Sequence, residues 1–110
     1  MADPFHSSDL LVRELYESLL SKLKVVGPYK VEGKKTSLHL VNRAAFLGVH
    51  PKKEHLELNV VSSAPLDAKR GYKIEQVSKN RYHNRVRIER ASDLDPELIH
   101  DIADAYRLMS

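Results

Sequence analysis

The residues able to do chemistry in this chain gather in two stretches. The first, KKTSLHLVNRAAFLGVHPKK (34–53), sets Lys35, Ser37, His39, Arg43, His50 and Lys52 among apolar residues of strand type, Phe46 included. The second, SKNRYHNRVRIER (78–90), carries Arg81, His83, Arg85 and Arg87 with Tyr82 between them. Guanidinium forks and ammonium groups hold phosphate and carboxylate, and an aromatic ring beside them offers a stacking surface to a base. Histidine changes charge near neutral pH and can serve as a general base. The set is suited to holding an anion. A reaction is less well specified. Ser37 and His39 stand two apart, on one side of a strand, but no nucleophile elbow accompanies them. The glycines are scattered, with no P-loop or dinucleotide fingerprint, so no motif calls for a cofactor. His50, His55 and Glu57 come nearest to a metal-ligand set, yet no HExxH spacing is present and no metal site is expected.

Composition narrows the classes further. With 110 residues, 42% hydrophobic and 30% charged, one ordinary globular domain over 1–110 is expected. A net charge of +3 leans toward anionic partners without requiring nucleic acid. The absence of cysteine excludes thiol chemistry and disulfides and favours a reducing compartment. MADPFHSSD lacks a signal-peptide pattern, and no apolar run nears the roughly 20 residues of a membrane span. A cytoplasmic protein is the expectation, and a membrane is not among its expected partners.

The polar residues need elements to carry them. Val12, Leu15, Tyr16, Leu19 and Leu23 recur at helical spacing behind an N-cap at Ser7 or Ser8, and Gly27-Pro28 ends that helix. A second helix begins at Asp95-Pro96-Glu97, with Leu94 and Ile99 placed as a hydrophobic staple. Between them the period falls to two. A turn at Asn42-Arg43 predicts a hairpin pairing Leu38 with Leu47 and His39 with Phe46. Thr36, Leu38, Leu40, Ala45, Leu47 and Val49 then share the inner face. Leu56, Leu58 and Val60 continue it, as do Val86 and Ile88 from a last strand. The stretch 62–70 reads as a loop or a short helical detour, and Tyr72–Val77 as a further strand. The architecture predicted is α+β in two layers: a mostly antiparallel meander with the N- and C-terminal helices packed on one face.

The other face would carry Ser37, His39, Phe46, His50, Asn59, His83, Arg85 and Arg87, with Gly48 leaving a dent and Arg43 and Lys52 at the rim. Antiparallel sheets often leave one face wet, which is the plain explanation of such residues. Three functions compete beyond it. The foremost is a binding module for an anionic small molecule or nucleic acid, Phe46 or Tyr82 supplying a stacking ring. The second is a homodimer closed over Val41, Ala44 and Phe46. The third is a hydrolase using His39 with Ser37 or His83.

KKTSLHLVNRAAFLGVHPKK, EQVSKNRYHNRVRI and DLDPELIHDIADAY, in that order, resemble the bacterial family called domain of unknown function 5655. The resemblance runs from about Phe5 to Met109. It implies a small cytoplasmic α/β domain, stand-alone or fused to other modules, some of them nuclease-like or restriction-associated. It implies no activity. The polar positions resembling the family's are Lys35, Thr36, Ser37, His39, Arg43, Lys52, Ser78, Arg81 and His83.

Overall fold

The computed structural model describes residues 4–5, 8–66 and 73–109. Helix α1 (Leu10–Leu23) is followed by strands β1 (Lys30–Gly33), β2 (Leu38–Val41), β3 (Ala45–Pro51), β4 (Leu56–Ser62), β5 (Lys73–Ser78) and β6 (Arg81–Ile88). A 3-10 turn at Ala91–Asp93 then leads into α2 (Pro96–Leu108). The strands form one antiparallel sheet in the order β1-β2-β3-β4-β6-β5. β6 rather than β5 thus lies beside β4, and β5 lies at the edge. β1 is an addition to the predicted strands. The predicted 62–70 loop lies partly outside the described residues, as does Tyr72.

The helices form where their apolar spacing requires. Val12, Leu15, Leu19 and Leu23 of α1 are buried, as are Leu98, Ile102 and Ala105 of α2. They share one core cluster with Leu40, Leu47, Val49, Leu56, Leu58, Val60, Val86 and Ile88. Those strand residues all point to the same side, so both helices cover one face of the sheet. Caps hold the helix ends. The Asp95 carboxylate accepts from Leu98 N–H at 2.9 Å, whereas α1 ends earlier than expected, at Leu23 with Lys24 as its C-cap, and Gly27, at φ 137° in a conformation that favours glycine, lies beyond the turn that follows. At α1 the cap residue is Asp9 rather than Ser8, whose hydroxyl instead donates to Lys52 O at 2.6 Å. The backbone N–H of Asp9 donates to Lys53 O at 2.8 Å. The start of α1 is thereby bonded to the β3–β4 turn.

The β2–β3 hairpin departs from the predicted register. Leu38 pairs with Val49, His39 with Gly48 and Leu40 with Leu47, a slide of two residues that preserves which side chains share a face. Between Leu40 and Val41 the register shifts, and Phe46 becomes the extra residue of a β-bulge. Two contacts account for this. The turn docks on the end of α2, where Arg43 N–H and Ala44 N–H both reach Met109 O and Asn42 Nδ2 donates to Tyr106 O, satisfying carbonyls that a helix end leaves open. Meanwhile the Phe46 ring meets Tyr106 and Tyr29 edge-on, at centroid distances of 5.2 and 5.9 Å. Phe46 is fully buried on the helix side, against the prediction that it faces outward, and Ala45, predicted inward, is exposed. Thr36, also predicted inward, is exposed in the β1–β2 turn.

One polar residue lies inside the core. Asn84 is completely buried and donates from Nδ2 to Val60 O at 2.9 Å and Ser62 Oγ at 2.8 Å, while its Oδ1 accepts from Leu66 N–H at 3.1 Å. All of its amide atoms are satisfied, as burial demands. It locks the end of β4 to β6.

Candidate functional site

The face of the sheet away from the helices is built in cross-strand rows. One row runs Glu32, His39, Gly48, Asn59, Arg85, Lys73 from β1 to β5. The next includes His50, Glu57 and Arg87, and on the other side Val61, His83 and Glu75. Gly48 makes the dent. A Cβ placed there would come within 3.3 Å of Asn59 Cβ and 3.4 Å of His50 Nε2, so the His50 ring leans over the gap. The His39 ring lies 6.5 Å from that of His50, and Ser37 Oγ is 3.4 Å from His39 Nε2.

Asn59 forms the floor. Its Nδ2 lies 3.4 Å from His83 Nδ1, while its Oδ1 is buried with no partner among the described residues. Reversing the amide would only exchange which of its two heads lacks a partner. A buried polar atom left without a hydrogen bond costs about 1–3 kcal/mol, which makes this one the least settled group on the face.

Charge is distributed unevenly around that floor. Arg85 Nη1 meets Glu57 Oε1 at 3.4 Å, with Arg85 half exposed and Glu57 nearly covered, and Arg87 Nε lies 3.6 Å from Glu89 Oε1. Burial lowers the His50 pKa, and the positive charge of Lys52 adds to the effect, whereas Glu57 opposes it. His55 is lowered by burial and then by Arg87. His50 thus rests toward the neutral imidazole, a form that can accept as well as donate a hydrogen bond.

The family comparison can now be set beside this geometry. The family model for Domain of unknown function (DUF5655) matches residues 1–109. The chain belongs to DUF5655. No curated protein and no solved structure matches it. No described helix of this DUF5655 chain is long and apolar enough to cross a membrane.

The predicted site residues of the DUF5655 chain divide into three groups. Ser37, His39, His50, His83, Arg85 and Arg87 lie together on the open face, with Lys35 and Lys52 in the two turns at one end of it. Arg43 and Arg81 stand at the opposite end. There Arg81 Nη1 reaches Met109 Sδ at 3.5 Å and its Nε is buried without a partner among the described residues, beside the carbonyl that Arg43 N–H caps. Phe46 belongs to neither group, being in the core. Tyr82 sits in the inward-facing row with Ser62 and Gln76. Sequence reasoning passed over Asn84, whose only signal was an amide at an inward position of a strand. For metal, the one group among the described residues with three ligand atoms within 4.8 Å of one another is His100, Asp101 and Asp104 on the outside of α2, not His50, His55 and Glu57. Asp104 is already paired with Arg107 there.

Proposed function

We propose that this DUF5655 protein is a non-catalytic binding module that holds a small phosphate- or carboxylate-bearing anion on the open face of its sheet. The observation that carries the reading is the Asn59 amide at the floor of the Gly48 dent: turned so that its Oδ1 accepts from His83 Nδ1–H, it leaves an N–H donor without a partner among the described residues, with His39, His50, His83 and Arg85 about it. An anion there gains N–H donors from imidazole and from Arg85, only one of whose nitrogens meets Glu57. Lys52 and Arg87 add positive charge at the near end. Nucleic acid is the weaker partner, since Phe46 is buried and Tyr82 faces inward, removing both rings expected to stack on bases. A dimer closed over this face loses the same Phe46 from its centre. A hydrolase would need an accessible nucleophile, and Ser37 is only 6% exposed.

Titration with inorganic phosphate and pyrophosphate, followed through the histidine side-chain resonances, tests the reading. Shifts are expected at His39, His50 and His83, saturating together and strengthening as the pH falls and His50 gains its proton. Arg85→Gln should weaken binding roughly tenfold, the order expected for a hydrogen bond to a charged group. Gly48→Ala, which fills the dent, should weaken it through an independent route. Histidine shifts that are absent, or that persist unchanged in both variants, overturn the proposal.

A further inference from the structure

All six residues of β5 are exposed, and no described strand pairs with its outer side. Such an edge offers a row of unpaired backbone N–H and C=O groups, which proteins ordinarily blunt with charge, proline, a bulge or a cover. β5 has a register shift between Gln76 and Ser78, but Lys73–Ile74–Glu75 is regular and its middle residue is apolar and 36% exposed. Within the chain, Lys73 lies directly opposite Arg85 and Glu75 opposite His83. Like charges facing each other across a strand pair are destabilising. The carboxylate that answers Arg85, Glu57, comes from β4 on the far side of β6. Lys73 therefore has a positive neighbour inward and an open side outward.

We propose that β5 pairs antiparallel with β5 of a second copy of this chain, about a two-fold axis through Ile74, so that the two sheets become one. Pairing of this symmetry places one residue opposite itself and exchanges the residues on either side of it. With Ile74 on the axis, Lys73 of each copy faces Glu75 of the other, and the two Ile74 side chains meet in the inward-facing row that contains Asn84. An axis at Lys73 or at Glu75 would set like charges face to face, so charge selects Ile74. The opposite edge, β1, carries the same order of charges in Lys30-Val31-Glu32. There Lys30 lies opposite Val41 and Glu32 opposite His39, and no like-charge pair calls for a partner. The joined sheet would set two open faces side by side, although the pairing does not depend on what those faces bind.

Sedimentation equilibrium over a range of concentrations at low salt tests it, with circular dichroism confirming that each variant is folded. The wild-type mass should rise toward twice that of one chain. Lys73→Glu alone and Glu75→Lys alone should each remain at single-chain mass at concentrations where the wild type is paired. An equimolar mixture of the two variants again opposes unlike charges and should restore the double mass, as should the double variant K73E/E75K. A wild type that stays at single-chain mass overturns the proposal. So do single variants that still pair, a mixture that fails to recover, or a dimer broken by Glu32→Lys instead.

Discussion

His50 shows how the burial of one side chain can weigh on folding. Burial disfavours its charged form, so the folded protein takes up a proton there less readily than the unfolded chain. His55 acts in the same direction. Stability linked to these groups is fully present above the ordinary histidine value of about 6.5 and is lost as the pH falls through the lower folded value. The urea midpoint, measured without phosphate, should be level above about pH 7 and decline below about pH 6.5. His50→Gln should make that decline shallower. A midpoint with no slope in this window would show that the imidazole carries no burial penalty.

Among the elements, the β2–β3 hairpin separates what its own residues determine from what arrives from elsewhere. Its two faces were legible from the alternation of Leu38, His39 and Leu40, because a slide of two residues leaves the faces intact. Helix α2 was legible at both levels, since the Asp95-Pro96 cap and the Leu98, Ile102, Ala105 stripe agree. The bulge was not legible. It depends on α2 offering the Met109 carbonyl to the turn and on Tyr29 and Tyr106 making room for a ring, contacts from distant parts of the chain. β1 was missed because four exposed residues show no inward-outward contrast. The relocation of Phe46 has a measurable consequence. Phe46→Ala should cost about 3–5 kcal/mol in chemical denaturation, the range for emptying a buried aromatic site. It should leave phosphate-induced histidine shifts in place wherever the variant is folded. Loss of binding at unchanged stability would return the ring to the open face.

At the scale of the whole molecule, strand order governs which parts open first. β4 has strands on both sides and α2 packed over it, whereas β1 and β5 are edges with every residue exposed. Backbone amides of β4 should exchange with solvent only through global unfolding, and those of β1 through cheaper local opening. Hydrogen exchange read residue by residue checks this, and equal protection across the sheet would contradict it. The order itself was hidden in the sequence, because nothing local to β5 or β6 states which of them lies against β4. The corner at Lys52 and Lys53 joins the two layers, since their carbonyl oxygens hold Ser8 and Asp9 at the entry to α1. Displacing that corner would therefore disturb the first turn of a helix on the covered side as well, so one short turn ties the two layers of the protein to each other.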